Sequence, residues 1–208
     1  MKLLLLGATG GIGIELVRQS VERGHAVTAF VRKPESLKPF AERIAIATGN
    51  LLNAVELAQA MRGQDAVLSA FGPRLPIASS DAHLLRDFAA SLTNAMQQAG
   101  VRRGMVVSTA FLFKDAIAPP VYLLGRLFFP GVVKDATDME TTLRSSGLDI
   151  LIVRPPQLKD GAHTGKYRVR EGHHPRFGLS ISRADVADFM IRRAEGGNFR
   201  SGVVGVSK

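Results

Sequence analysis

The amino-acid sequence predicts an α/β protein with a doubly wound parallel sheet in a single domain. Short apolar runs alternate with amphipathic segments along the whole chain, and this alternation is typical of parallel strands joined by helices. The first unit, residues 1–33, consists of an apolar run, a glycine-rich turn, an amphipathic segment and a second apolar run. The order strand, glycine turn, helix, strand is that of a dinucleotide-binding unit.

The glycine-rich turn lies between the apolar run at residues 3–6 and the amphipathic segment at residues 14–23. Its glycines have the spacing G-x-x-G-x-x-G, which lets the chain turn sharply, approach a pyrophosphate and pack helix on strand. The helix start favours phosphate through its N–H groups and dipole. We predict a Rossmann-like fold; a tight turn in another α/β fold is the alternative. The residues predicted to contact a dinucleotide are Gly7, Thr9, Gly10, Gly11, Ile12 and Gly13.

The second apolar run, residues 25–31, ends in the basic pair Arg32-Lys33. An acidic residue here would bond the ribose 2′-hydroxyl of NAD, whereas an arginine accommodates the 2′-phosphate of NADP. Arg32 can form a bidentate phosphate contact, and Lys33 adds a point charge. The pair therefore predicts NADP(H) as the cofactor. The alternative is a solvated basic turn before Pro34.

The rest of the chain continues the alternation of strands and helices. Asn53 and Ser182 are positioned to cap helices, with Asp185 as a capping-box-like partner of Ser182. Gly100 closes a long helical pattern. We predict helices at residues 53–61, 79–98, 135–146 and after Ser182, with a helical turn at 34–37. We predict strands at 43–48, 66–71, 105–109, 149–154 and 203–206, with a short extra strand at 164–170.

Composition fits one domain over residues 1–208 and excludes several classes of protein. The chain is 46% hydrophobic and has no cysteine, so disulfides and Cys-ligated metals are excluded. The net charge of +9 comes from scattered basic residues without a nucleic-acid-binding motif, and cofactor phosphates account for part of it. No apolar run approaches the roughly 18–20 residues of a membrane span, and no secretory leader is visible. We expect a cytoplasmic protein.

Ligands of doubly wound sheets bind where the strands end. The residues that follow the predicted strands are therefore further candidates for the site. Beyond the glycine turn and the basic pair, the candidates are Asn50, Leu51, Ala70, Phe71, Gly72, Ser108, Thr109, Pro155, Pro156 and Gln157.

These strand ends resemble those of the atypical short-chain dehydrogenase/reductase group that includes biliverdin-IXβ reductase, also called flavin reductase. The resemblance covers essentially the whole chain. The similar segments, in the group's order, are GATGGIG, VRKPE, GNL, GQDAVLSAFG, STAFLFKD, LRSSGLDILIVRPP, TGKYRV and ISRADVADFM. The resemblance implies a Rossmann-like fold and an NADPH-dependent reductase that passes hydride to flavins and certain tetrapyrroles.

The resemblance also implies roles for two of the strand ends. Asn50 takes the position of an Asp at the adenine, and its amide oxygen can likewise accept a hydrogen bond; a simple turn residue is the alternative. Phe71 and Gly72 would pass under the nicotinamide half of the cofactor, although Phe71 could equally belong to the core.

One catalytic pair of the wider superfamily is missing. Reductases of that superfamily use a Tyr and a Lys four residues apart, and the Lys lowers the pKa of the Tyr. Here Tyr122 is followed by Arg126, and the group's position that can hold Lys is Ala136. Acid catalysis by such a pair is therefore not expected.

The group's substrate-facing Ser and His positions also differ. They read Thr109 and Gln157 here, with Ser108 adjacent to Thr109. Gln cannot donate a proton as an imidazolium does, whereas Thr keeps a hydroxyl. Thr109 and Ser108 are therefore the candidate catalytic residues.

Residues 117–133 form an apolar stretch, which we predict to be a wall or lid on the acceptor side of the site. A buried connecting helix or a dimer patch is the alternative. The side chains suited to a flat aromatic ring are Tyr122, Leu123, Leu124, Phe128 and Phe129.

A histidine-containing basic segment lies at residues 163–176, after the strand predicted at 149–154. Its histidines lack metal-ligand spacing, so we predict no metal site. A solvated loop is one reading, and a rim that attracts phosphate or propionate groups of an anionic acceptor is the other. The residues concerned are His163, His173, His174, Lys166, Arg168, Arg170 and Arg176.

We therefore predict an NADPH-dependent reductase of a flavin or a similar planar acceptor, such as a quinone or tetrapyrrole. These acceptors need hydride delivery in a dry, aligned pocket and take their proton from water. The C-terminal part would form a small substrate-side region. Two alternatives stay open: a non-catalytic NADP(H)-binding redox sensor, and a sugar-nucleotide epimerase, which the missing Tyr–Lys pair disfavours. The oligomeric state is left open.

Overall fold

The computed structural model describes residues 1–73, 83–112, 130–197 and 199–208. Its strands are β1 (Lys2–Leu6), β2 (Ala26–Val31), β3 (Ala45–Thr48), β4 (Ala66–Ser69), β5 (Arg103–Val107), β6 (Asp149–Arg154), β7 (Gln157–Lys159), β8 (Arg168–Glu171), β9 (Ser180–Ser182) and β10 (Gly202–Ser207). Its α-helices are α1 (Gly11–Glu22), α2 (Ala54–Met61), α3 (Leu84–Ala99), α4 (Pro130–Ser145) and α5 (Arg183–Glu195). Short 3₁₀ helices lie at Glu35–Phe40 and Ala110–Leu112.

Eight of the strands form one sheet in the order β3-β2-β1-β4-β5-β6-β10-β8. Its neighbours pair in parallel except β8, which runs antiparallel to β10. Strands β7 and β9 form a separate parallel pair that the sequence did not predict. The predicted doubly wound, Rossmann-like α/β fold in a single domain is confirmed.

Helices cover both faces of the sheet, and this explains the four consecutive leucines of β1. Leu3 and Leu5 pack on the face covered by α1 and α5. Leu4 and Leu6 pack on the opposite face, against residues of α2, α3 and α4. Successive side chains of a strand point to opposite faces, so a strand that is buried on both sides can be apolar throughout. No helix in the described ranges is both long and apolar enough to cross a bilayer.

The predicted helix ends agree with the observed caps. Asn53 accepts hydrogen bonds from the N–H groups at the start of α2, and Ser182 accepts one from Asp185 at the start of α5. Gly100 ends α3 with φ +72°, the left-handed conformation that glycine adopts without strain. Helix α1 begins at Gly11, before the predicted start at Ile14. Glycine is a poor helix former, but tertiary packing keeps the two glycines at the start of α1 in the helical conformation.

Several predicted strands have different bounds. Strand β3 begins at Ala45 and not at residue 43, and β4 ends at Ser69, so Ala70 and Phe71 lie in the following loop. The strand predicted at 105–109 is β5, which ends at Val107, so Ser108 and Thr109 lie in the following loop. The strand predicted at 164–170 begins only at Arg168. The N–H groups of Thr164 and Gly165 donate to the Asp185 carboxylate at 2.8 and 2.9 Å, and this bonding replaces strand pairing there.

The apolar stretch at 117–133 lies mostly outside the described residues. Its last residues, 130–133, belong to α4, which begins at Pro130. Proline is favoured at the first position of a helix, because its missing N–H would have no partner there. The predicted lid residues, Tyr122, Leu123, Leu124, Phe128 and Phe129, lie outside the described residues.

Candidate functional site

A cleft of about 1080 Å³ runs along the carboxyl edge of the main sheet. The segments that follow β1, β2, β3, β4 and β5 all contribute to its wall. The structure thus gathers most of the predicted site residues in one place. Those that line the cleft are Gly7, Thr9, Gly10, Gly11, Ile12, Arg32, Lys33, Asn50, Leu51, Ala70, Phe71, Gly72, Ser108 and Thr109.

The three glycines of the turn have different surroundings. Gly7 has φ +71°, and a Cβ there would lie 2.7–2.8 Å from the backbone of Ala70 and Phe71. A Cβ at Gly13 would lie 2.1 Å from the carbonyl oxygen of Gly7. A Cβ at Gly10 would approach that oxygen at 3.4 Å, and Gly10 lines the cleft. Gly7 and Gly13 thus serve the protein's own packing, whereas Gly10 leaves space for a ligand.

The first turn of α1 faces this space with N–H groups that have no partner within the helix. The first intrahelical hydrogen bond is donated by Ile14 to the Gly10 carbonyl at 2.8 Å. No acidic side chain lies in the first turn of this fully described helix. Free N–H groups, the helix dipole and the open space at Gly10 fit a pyrophosphate. These residues would hold the diphosphate of a dinucleotide.

Arg183 is a site residue that sequence reasoning missed. It lines the cleft as the first residue of α5, and a Cβ at Gly11 would lie 2.5 Å from its Cδ. Its guanidinium donates to the exposed carboxylate of Asp160 at 2.6 Å. Arg183 therefore places a cation against the first turn of α1. Only the packing of α5 beside α1 reveals this, because the two residues are far apart in the chain.

The end of the cleft that we predicted to select the cofactor lies beyond β2. Arg32 and Lys33 are exposed there, and neither forms an ion pair with any described residue. Glu35 and Ser36 line the same end. Glu35 is an acidic neighbour that sequence reasoning did not weigh, and its carboxylate would repel a phosphate. The two basic residues outnumber this one acidic residue, so the local net charge is still positive. The preference for NADP over NAD stays a prediction.

Asn50, which we predicted to contact the adenine, is held in a turn by two hydrogen bonds. Its side-chain oxygen accepts from the N–H of Leu52 at 3.0 Å, and its own N–H donates to Glu56 at 2.8 Å. A carbonyl oxygen has two lone pairs, so one acceptor position is left for an adenine amino group. Leu51 is buried beside it and supplies an apolar wall.

Phe71 belongs both to the core and to the cleft. Its ring packs on that of Phe88 with centroids 4.8 Å apart and an angle of 51° between planes. It also lines the cleft together with Ala70 and Gly72. The two readings of this residue are therefore compatible, since Phe71 both packs on Phe88 and lines the cleft.

Ser108 and Thr109 line the cleft just beyond β5. The Ser108 hydroxyl donates to the carboxylate of Glu140 at 2.6 Å. Arg154 donates to the same carboxylate, through Nε at 2.9 Å and through a second nitrogen. Sequence reasoning named neither Glu140 nor Arg154, because the contact joins the loop after β5 to α4 and β6.

The predicted residues after β6 lie outside the cleft lining in the described part of the chain. The Pro155 carbonyl accepts from Ala110 at 3.1 Å, which ties the loop after β5 to the end of β6. Gln157 is exposed and pairs with Ser180 in the small sheet. Leu158 lines the cleft instead, because adjacent residues of a strand point in opposite directions. Pro156 follows the same backbone path without reaching the cleft lining.

Apolar side chains line the part of the cleft beside Ser108. Ala136 lies one helical turn before Glu140 on α4 and faces the cleft. Asp135 binds the start of α3 through the N–H of Leu85 at 2.9 Å, so the first turn of α3 borders the same region. The apolar side chains that line this part are Leu84, Leu85, Val132, Ala136 and Leu158.

His163 and His174 contact other groups of the protein. His163 lies 3.1 Å from the buried carboxylate of Asp188, and His174 is buried with Nε2 2.5 Å from the Gly178 carbonyl. Within the described ranges no group of three or more His, Asp or Glu residues could hold a metal. Tyr167 donates to Asp188 at 2.7 Å, and burial together with that carboxylate raises the pKa of Tyr167. The Tyr167 hydroxyl therefore keeps its proton, which it donates to Asp188.

The fold and the cleft define an NAD(P)H-binding α/β protein of the Rossmann type. The chain belongs to the NAD(P)H-binding family, whose model matches residues 7–195. The match covers the glycine turn, the basic pair, both loops beyond β4 and β5, and α5. The nicotinamide cofactor is thereby supported, without a choice between NAD and NADP.

Two protein relatives are similar along most of the chain. An uncharacterized chloroplast protein of Arabidopsis thaliana is 30% identical over 199 residues, which cover 91% of this chain and 70% of the relative. The photosystem II assembly factor Ycf39 of Synechocystis is 26% identical over 207 residues, or 94% of this chain. The chain spans 59% of the length of Ycf39.

Two solved structures share the fold. A Burkholderia pseudomallei protein described as exported is 28% identical, with a TM-score of 0.80 and complete coverage of both chains. ChuY, an anaerobillin reductase of Escherichia coli O157:H7, is 22% identical with a TM-score of 0.80, covering 100% of this chain and 97% of its own. The likeness to ChuY concerns the fold alone. The cytoplasmic location stays a prediction.

Proposed function

We propose that this protein is an NADPH-dependent reductase that delivers hydride to a planar acceptor, such as a flavin, a quinone or a tetrapyrrole. The nicotinamide, when bound, supplies the hydride. The chain's own residues bind the diphosphate at the turn after β1, orient the ring beside β4 and β5, and provide an apolar wall for the acceptor. The resemblance to flavin and biliverdin reductases supports this proposal, as does the reductase among its structural neighbours at the level of fold.

The observation that carries the proposal is Ala136, a nearly buried residue that borders the cleft at the position where the resembling group can hold a Lys. Charged residues of the described cleft lining are confined to the cofactor end and the first turn of α1. These are Arg32, Lys33, Glu35 and Arg183. The acceptor part therefore offers hydroxyls and apolar walls. Such a site suits an acceptor that takes its proton from water, since a ketone would need an acid at its oxygen.

The test is the oxidation of NADPH with riboflavin, its monophosphate, a soluble quinone and biliverdin, followed by absorbance. We expect at least one acceptor to be reduced, with one proton taken from solvent for each hydride transferred. A protein that binds NADPH and reduces none of them at high concentration would contradict the reductase proposal and favour the redox sensor. An epimerase would instead interconvert a sugar nucleotide without net NADPH oxidation.

Thr109→Val gives a second measure of the same proposal. If the hydroxyl orients a ligand, its loss should lower the rate about threefold to tenfold, the size of one hydrogen bond. A required general acid would contribute about a hundredfold or more. A collapse beyond a hundredfold, with cofactor affinity intact, would make Thr109 a chemical participant and refute the solvent-proton argument.

A further inference from the structure

Ser108, Glu140 and Arg154 form a hydrogen-bonded group under the acceptor part of the cleft. The Ser108 hydroxyl lies 2.6 Å from Oε1 of Glu140, and Arg154 Nε lies 2.9 Å from the same oxygen. A second Arg154 nitrogen contacts Oε2. The side chains of Glu140 and Arg154 are only 5% and 12% exposed, so the pair lies in the interior while Ser108 reaches the cleft.

Stability alone is a poor explanation for this pair. Removing two charges from water costs about as much as their attraction returns, and apolar residues of similar volume often serve as well. The third member of the group lines the cleft, so the pair lies where it can act on a ligand through Ser108.

The chemistry of the three groups determines the direction of each hydrogen bond. A carboxylate paired with a guanidinium is ionised and only accepts. Ser108 must therefore donate its single proton to Glu140. The Ser108 oxygen then offers only its two lone pairs to the cleft, and these can accept a hydrogen bond.

We propose that Glu140 and Arg154 hold Ser108 as a hydrogen-bond acceptor, so that the site selects a ligand with an N–H group at this position. The inference rests on the proposed function and deepens it. The N–H group has two sources: the carboxamide of the nicotinamide, or an imide or lactam N–H of the acceptor. Flavins and bile-type tetrapyrroles carry such a group, whereas quinones do not. Ser108 is then a positioning residue and not a proton donor.

The experiment compares each N–H ligand with an analogue that lacks the N–H. For the cofactor, NADPH is compared by titration with its 3-acetylpyridine analogue, in which a methyl group replaces the amide nitrogen. For the acceptor, the KM of riboflavin is compared with that of 3-methylriboflavin. The protein should prefer the N–H member of one pair about threefold to tenfold, and the pair affected identifies the source.

Ser108→Ala should abolish that preference, with kcat changed less than KM or Kd. Ser108→Thr keeps the hydroxyl and should restore the preference. Ser145→Ala is the control, because this exposed hydroxyl on α4 bonds only within its own helix. Glu140→Leu removes the carboxylate that accepts from both Ser108 and Arg154 Nε, so the Ser108 hydroxyl can turn its proton toward the cleft, which should remove the preference. Melting curves verify that each variant is folded.

Equal affinity for both members of both pairs in the unmutated protein would overturn the inference. So would a Ser108→Ala variant that weakens N–H ligands and their analogues alike. A hundredfold loss in kcat with KM unchanged would make Ser108 a chemical participant, which also contradicts it. A protein that reduces no acceptor contradicts the proposed function, but the cofactor titration still decides whether Ser108 accepts from the carboxamide.

Discussion

The glycines after β1 show how single positions divide between packing and binding. Gly13 lets α1 approach the turn, because a Cβ there would lie 2.1 Å from the Gly7 carbonyl oxygen. Gly10 has φ −85° and ψ 169°, an extended conformation open to any residue, and it borders the cleft. The same residue type thus serves two different purposes within one turn.

Gly10→Val and Gly13→Ala should therefore affect different properties: the first should affect cofactor binding and the second the stability of the fold. Gly13→Ala forces the backbone apart and should destabilise the fold by about 1–3 kcal/mol, as overpacking does. Gly10→Val places a poorer residue at the N-cap of α1, which costs about 0.5–1 kcal/mol, so the protein should stay folded. It should lose NADPH binding, because the side chain would fill the space for the pyrophosphate. Urea unfolding and a cofactor titration measure both. A folded Gly10→Val protein that still binds NADPH would refute the assignment of the site.

Arg32 and Glu35 should control the choice of cofactor in opposite directions. We expect NADPH to bind more tightly than NADH, and Arg32→Ala to remove most of the difference. A hydrogen bond to a charged group contributes about 1.5–3 kcal/mol, or roughly tenfold to a hundredfold in affinity. Glu35→Gln removes a repulsion and should strengthen NADPH binding while leaving NADH nearly unaffected. Equal affinities for the two cofactors in the unmutated protein would contradict the prediction.

Among the secondary structure elements, two receive their anchoring from residues far away in the chain. Helix α3 has no side-chain cap of its own, and Asp135 on α4 accepts from the N–H groups of Leu85 and Arg86 at 2.9 and 3.0 Å. The segment before β8 is anchored in the same way by Asp185 on α5. A carboxylate can accept several hydrogen bonds from N–H groups. One acidic side chain can therefore cap the end of a helix or hold a segment that lies elsewhere in the chain.

The anchoring by Asp185 should make the segment at 160–167 sensitive to acid. Burial raises the pKa of Asp185, but hydrogen bonds from Thr164 and Gly165 outweigh it, so the pKa is lower than in the unfolded chain. Its contribution is therefore present above about pH 4, the unfolded value, and is lost as pH falls through the folded value. We expect the free energy of unfolding to decline in that range.

Asp185→Asn tests this account of the acid response. The amide keeps one acceptor oxygen and brings its own donors against N–H groups, so we expect a loss of about 1–3 kcal/mol at pH 7. The decline below pH 4 should become shallower, as measured by urea unfolding between pH 3 and 7. Asp138→Asn, which removes an exposed pair with Lys134, is the control. An unchanged pH profile in the Asp185 variant would contradict the assignment.

At the scale of the whole molecule, the cleft is lined by residues that follow most of the parallel strands. A ligand in the cleft would contact many parts of the fold, so ligand binding and the free energy of unfolding are linked. A ligand that binds only the folded state stabilises it by about 2.7 kcal/mol at a hundred times its Kd. One kcal/mol shifts the melting temperature of a domain of this size by about 2–4 °C. NADPH at that excess should therefore raise the melting temperature by roughly 5–10 °C, and an equal concentration of NADH by less. The Gly10→Val protein should show no shift with either.

The fold class, the glycine turn, the basic pair and the helix caps could all be predicted from the amino-acid sequence. Each of these depends on neighbours within about one turn or one strand, so the spacing of Gly7, Gly10 and Gly13 or the cap at Asn53 can be read locally. The run of leucines in β1 likewise indicates a strand buried on both faces. Most of the cofactor end of the cleft follows from these patterns, because parallel strands bring their ends to one edge.

The contacts beneath and across that edge become visible only in the folded protein. The contact of Ser108 with Glu140 and Arg154 joins three elements, and Arg183 meets the glycine turn across more than 170 residues of chain. The pairing of β7 with β9 turns Leu158 into the cleft in place of Gln157. Such contacts depend on how helices and strands pack, and no local pattern of polarity or spacing encodes them. The physical reason is that a hydrogen bond or ion pair requires proximity in space, which the chain acquires only on folding.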